Sequence, residues 1–108
     1  MEAGAPEVAI LDRVTLRRAE AEAWLERMHR DYRPGAEARG LSLAGVWQTR
    51  ADEHDAVEVV IVWTVPDARA FFATRAGSNA HDVVAWWKET DALALSRERT
   101  VMQAIDAP

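Results

Sequence analysis

The apolar positions of the chain change period several times, and the changes mark its elements. Seven of the nine residues from Val57 to Val65 (VEVVIVWTV) are apolar, most of them β-branched, the composition of a strand covered on both faces. Pro66 cannot donate to a ladder and Asp67 is a good N-cap, so the strand is expected to end at Val65 and a helix to begin. Ala68, Phe71 and Phe72 start that helix, Gly77-Ser78-Asn79 breaks it, and His81 to Thr90 (HDVVAWWKET) resumes it with Val83, Val84 and Trp87 inward. Trp86 lies about 100° from Trp87 on such a helix and is expected off the core stripe.

Upstream, Glu7 to Thr15 (EVAILDRVT) reads as a strand with Val8, Ile10, Leu11 and Val14 apolar, partly wet at Asp12 and Arg13, and with Thr15 capping the next helix. Ala21, Trp24, Leu25, Met28 and Tyr32 then fall on one helical stripe. Pro34-Gly35 is expected to interrupt this helix, Ala36 to Arg39 to add a turn, and Gly40 to end it in the left-handed conformation. Leu41 to Arg50 (LSLAGVWQTR) reads as a second strand with Leu41, Leu43, Gly45 and Trp47 on one face. The polar link Ala51 to Ala56, with a solvated His54, suits an antiparallel hairpin to Val57–Val65. Ser96 to Ile105 closes the chain as a strand anchored by Val101, Met102 and Ile105.

The order β-α-β-β-α-β predicts an α+β, ferredoxin-like antiparallel sheet with two helices on one face, as one domain over residues 1–108 with its core at about 8–105. Two helices cover one face only. The other face of so apolar a sheet would expose more than the few hundred Å² usual for a monomer, so a face-to-face homodimer, a dimeric α/β barrel, is expected.

Composition narrows the function classes. A formal charge of −5, with arginines scattered among acids, argues against nucleic acid as a partner. No cysteine is present, which removes disulfide and thiol chemistry and fits a reducing compartment. No apolar run approaches the ~20 residues of a membrane span and residues 1–6 carry no signal-like segment, so a cytoplasmic protein is expected, away from any membrane. The abundance of Ala and Arg points to a GC-rich, bacterial source. The three histidines lack metal-binding spacing, and no nucleophile elbow, phosphate loop or dinucleotide fingerprint occurs; neither a metal nor a cofactor is expected.

The candidate site residues are aromatic or titratable. Trp47 and Trp63 are candidates for the walls of a ligand cavity, against a plainer reading as core or interface; they share a face if Gly45 pairs with Trp63 and separate if the register moves by one. His81, at the break in the second helix, is a candidate general acid or base, against a solvated place in a capping segment served by Asn79 or Asp82. Tyr32 offers a hydroxyl, with His29 on the flank of its stripe, against simple packing of the ring. Arg50, Arg75 and Arg97 are candidates to neutralise an acidic ligand at a cavity mouth.

The segments AGVWQT, WTVPD, DVVAWW and SRERTVM, in that order over roughly Val8 to Ile105, resemble the NIPSNAP-type branch of the dimeric α/β-barrel superfamily. The segment Trp63 to Ala70 is also similar to the antibiotic-biosynthesis monooxygenase branch, although Phe71-Phe72 stands where that branch often has a histidine. The resemblance implies a homodimer with a pocket between sheet and helices in each subunit, in a superfamily of cofactor-free oxygenases, isomerases and haem-handling enzymes. Two readings follow. One is a cofactor-independent oxygenase or isomerase acting on a small apolar or aromatic molecule, with Tyr32 and His81 converging on one cavity. The other is a non-catalytic dimer that binds a ligand or a protein partner, marked by an accessible Trp86.

Overall fold

The computed structural model describes residues 6–50, 55–75, 77 and 80–106. Strand β1 spans Val8–Arg17, β2 Ser42–Gln48, β3 Ala56–Val65 and β4 Ser96–Gln103. Helix α1 (Arg18–Arg27) runs through a π-helical turn (Met28–Tyr32) into α2 (Arg33–Ala38), and α3 (Ala68–Arg75) is followed by α4 (His81–Leu93). The strands form one antiparallel sheet in the order β2-β3-β1-β4, the ferredoxin-like arrangement expected of the element order.

Several boundaries have identifiable local causes. Asp67 caps α3, its Oδ1 accepting the Ala70 N–H at 2.8 Å. Pro34 does not break the first helix as expected. It lies in the first turn of α2, where its missing N–H costs least, and the preceding π turn absorbs the backbone misfit that the ring imposes on the residues before it. Gly40 ends α2 at φ +103°. Thr15 is not a cap: β1 continues two residues further, to Arg17, and the N-terminus of α1 has no side-chain cap. Ile105 lies beyond β4 and is almost fully exposed, so it is not an anchor. The cap assigned to Asn79 and the turn position of His54 fall outside the described residues.

Alternation along the two central strands defines the faces of the sheet. Val8, Ile10, Asp12, Val14 and Leu16 of β1 and Val57, Val59, Ile61, Trp63 and Val65 of β3 are all buried beneath the helices. Their neighbours Ala9, Leu11, Arg13, Val60, Val62 and Thr64 point to the opposite, uncovered face. In β2 the register slips between Leu43 and Gly45: Leu43 pairs with Trp63, but Gly45 pairs with Val62 and Trp47 with Val60. A bulge of one residue turns everything after it to the other face. Leu43 therefore packs under the helices, whereas Trp47 stands on the open face, 61% exposed.

The helices complete the core through aromatic contacts. Trp24 and Trp86 meet with ring centroids 5.3 Å apart, and Tyr32 stacks on Trp86 at 5.5 Å. Trp86 is thus core and not an accessible marker. The inward stripe of α4 is Val83, Trp86 and Thr90, because the Trp24 indole N–H donates to Thr90 Oγ1 at 3.1 Å and draws that polar residue inside. Val84, assigned inward from the apolar pattern, is half exposed.

Candidate functional site

The buried alternation of β1 is broken by one charge. Asp12 is 2% exposed, and its cross-strand partner is Arg99 of β4. The Arg99 guanidinium donates to both carboxylate oxygens, at 2.6 and 2.9 Å, and the Trp63 indole N–H donates to Oδ2 at 3.2 Å. A bidentate pair with a third donor is what allows a carboxylate into the covered face. Burial opposes the charge on Arg99, but the Asp12 carboxylate outweighs it and, with help from the Tyr32 hydroxyl, pushes the guanidinium above its ordinary pKa. Arg99 also lies 5.3 Å from the centroid of Trp87, and Arg97 lies 4.5 Å from it.

Beside this pair, at the end of the sheet where β1 begins, a cavity of about 420 Å³ opens between sheet and helices. Ile10, Arg99 and Val101 form its floor; Tyr32 lines it from the π turn and Arg39 and Leu41 from the link between α2 and β2; Phe71, Thr74, Arg75 and Val83 line it from α3 and α4. The size is within the usual range for a small-molecule site, as is the mixture of apolar walls with few polar groups. Tyr32 is 3% exposed and held edge-on by Trp63 and Trp87, at 5.9 and 5.7 Å. Arg39, whose guanidinium carbon is 5.8 Å from the Tyr32 ring centroid, donates from Nη1 to Asp82 Oδ2 at 3.1 Å. That hydrogen bond is the first cause holding the Asp82 carboxyl below its usual value.

Tyr32 and Arg75 are therefore in the cavity, and the other candidates are not. Trp63 is fully buried in the core with its N–H on Asp12, and Trp47 is on the far face, so the two do not share a wall. His81 is exposed in the first turn of α4 and does not line the cavity; the convergence of Tyr32 with His81 does not occur. His29 is exposed, with Nδ1 3.2 Å from Arg33. Arg50 follows β2 at the opposite end of the sheet from the cavity, and Arg97 is engaged with Asp91 at 2.6 Å. Arg39 and the Asp12–Arg99 pair escaped the sequence reading. The signal for the pair was present: Asp12 shares its strand parity with Val8, Ile10, Val14 and Leu16, and Arg99 shares its parity with Val101. Arg39 carried no such signal.

Among the described residues no group of three or more His, Cys, Asp or Glu could hold a metal ion, and no helix is long and apolar enough to cross a membrane.

Fold and cavity define a class: ferredoxin-like α+β domains with a ligand-sized space between sheet and helices. No protein-family model matches the sequence, and no curated protein matches it either. Among solved structures, a NIPSNAP family protein from Agrobacterium tumefaciens superposes with a TM-score of 0.72 at 14% identity, over 98% of this chain and 92% of that one. A dimeric ferredoxin-like protein from an uncultured marine organism gives 0.69 at 12% identity, over 95% and 99%. The cofactor-independent oxygenase SnoaB from Streptomyces nogalater gives 0.63 at 21% identity, over 95% and 97%. The fold of the NIPSNAP and dimeric ferredoxin-like proteins is thus the fold of this chain.

Proposed function

We propose that the protein is a small cofactor-independent enzyme, of oxygenase or isomerase type, acting on an apolar or aromatic molecule held between sheet and helices. The observation that carries this reading is the cavity with Tyr32 in its wall: among its lining residues, Tyr32 and Thr74 are the groups other than arginine with a proton to exchange. A hydroxyl in a positively charged cavity suits enolisation: water entering the cavity takes the α-carbon proton, while the Tyr32 hydroxyl donates to the developing enolate oxygen and the excess guanidinium charge stabilises it. An enolate is a starting point both for isomerisation and for reaction with oxygen without a cofactor. The likeness in fold to a cofactor-independent oxygenase supports the reading by analogy only.

The test is hydrogen–deuterium exchange at the α-carbons of 2-tetralone, an enolisable aromatic ketone, followed by NMR. The protein should raise exchange above the buffer rate, and Tyr32→Phe should return it to that rate while still binding the ketone. Binding without any enhanced exchange would favour the rival reading, a non-catalytic ligand-binding or interaction module. The position of His81 outside the cavity is the observation on that side.

The same proposal includes a homodimer formed through the open face of the sheet and a cytoplasmic location. The dimer is supported by Trp47 and Met102, at 61% and 50% exposure on that face, and by the dimeric neighbour. The location is supported by a sequence without cysteine.

A further inference from the structure

We infer that the ligand of this cavity is an organic acid: an apolar body carrying a single carboxylate that faces Arg39 and Arg75. This rests on the cavity being the ligand site, and it adds the charge and chemical class of what enters.

Among the described residues, three guanidinium groups line the cavity, those of Arg39, Arg75 and Arg99, and no carboxylate does. Two carboxylates stand behind the wall and answer two of the cations. Asp12 engages Arg99 in bidentate fashion, and Asp82 takes one nitrogen of Arg39. Arg75 has no ion pair among the described residues and instead lies over the Phe71 ring, 6.0 Å from its centroid. Three cations less two anions leave one positive charge at an apolar cavity, in a chain whose formal charge is −5. One excess charge fits a monoanion.

Arg39 has unmet donor capacity as well as charge. Its side chain is 17% exposed, and Nη2 is buried with no hydrogen-bond partner among the described residues. Buried donors of this kind are rarely left without an acceptor. The backbone also makes room for this side chain. A Cβ at Gly35, inside α2, would stand 2.5 Å from Asp82 Oδ2 and 3.2 Å from Arg39 Nη1, and one at Gly77 would stand 2.7 Å from Arg39 Cδ. A glycine inside a helix weakens it, and the space gained here is occupied by the Arg39–Asp82 pair. A planar guanidinium over an aromatic ring, with a free edge, is suited to a carboxylate, while Ile10, Leu41, Val83 and Val101 suit the apolar remainder.

Isothermal titration with 2-naphthoate and with its neutral isostere 2-naphthamide tests the inference. At low ionic strength the protein should prefer the acid by about tenfold or more. Arg75→Gln should bring the two probes near parity, and so should Arg39→Gln, with thermal melting to confirm that each variant is folded; if Arg39→Gln does not fold, Arg75→Gln decides. Equal binding of both probes to the unaltered protein, or preference for the amide, overturns the inference and leaves the cavity as a ligand site. Binding of neither probe overturns the cavity reading and the inference with it.

Discussion

The two faces of the sheet are made by the same central strands, β1 and β3, and they handle polarity in opposite ways. The covered face admits one carboxylate, Asp12, and surrounds it with the Arg99 fork and the Trp63 indole, so that a buried charge has a full set of partners. The open face carries Leu11, Val60, Val62, Trp47 and Met102 with an ion pair, Arg13–Glu58 at 3.4 Å, toward one end. The polar groups of the helix-covered face lie beside the cavity at its edge. The open face is an unfinished core, and what would finish it is another apolar surface.

The largest effect should come from breaking the covered face. Asp12→Ala removes one partner of a buried pair and strands both Arg99 and the Trp63 N–H, so urea denaturation should show a loss of about 3–5 kcal/mol. Trp63→Ala should cost a similar amount, ~3–5 kcal/mol, as a large-to-small change in a packed core. A near-neutral result for both would mean that this face is not the core.

Next comes the open face. Val62→Asp should halve the mass measured by light scattering while leaving the circular dichroism of the fold intact, because the new charge has no partner across a symmetric interface. An unaltered protein that is monomeric at micromolar concentration would remove the contrast between the faces. Smaller again is Trp24→Phe, which keeps most of the ring packing and deletes the hydrogen bond to Thr90; about 1 kcal/mol is expected in the same denaturation assay.

The smallest effect is with pH. The Asp82 carboxyl is held below its ordinary value of 3.8, first by the Arg39 hydrogen bond. A carboxyl lowered by folding contributes stability that is fully present above the unfolded-state value and is lost as pH falls through the folded one. The contribution of the Arg39–Asp82 pair should therefore be flat from pH 6 to 8 and disappear only below about pH 4. Asp82→Asn should remove that acid limb from a melting-temperature profile and lower the neutral plateau by the same small amount.

Much of this was legible in local pattern, and the failures have specific causes. The end of β3 at Val65, the Asp67 cap and the left-handed Gly40 follow from residues whose backbone preferences hold in almost any context. Trp86 was misplaced because the inward stripe of α4 contains Thr90, and a threonine is inward only if something inside needs its oxygen; here that is Trp24, far away in sequence. Trp47 was misplaced because one extra residue between Leu43 and Gly45 reverses the face, and no residue type there announces a bulge. Asp12 was read as the wet half of a strand although its parity was that of the buried positions. Tyr32 was found as a stripe residue and proved to line the cavity, while His81 sits only two residues from the cavity's Val83, about 200° around the helix, and faces outward.

By itself, then, the sequence determined the element order, the antiparallel ferredoxin-like topology and the excess of apolar surface on two faces, because these depend on periodicity and on the short-range limits set by proline, glycine and capping side chains. Only the tertiary structure decided which aromatics meet, that Arg99 returns from the end of the chain to neutralise Asp12, and that Arg39, Arg75 and Arg99 surround one space. Those contacts join residues of β1, the helices and the link after α2, and β4, and their geometry depends on a one-residue register and on the exact phase of each helix, which no local preference specifies.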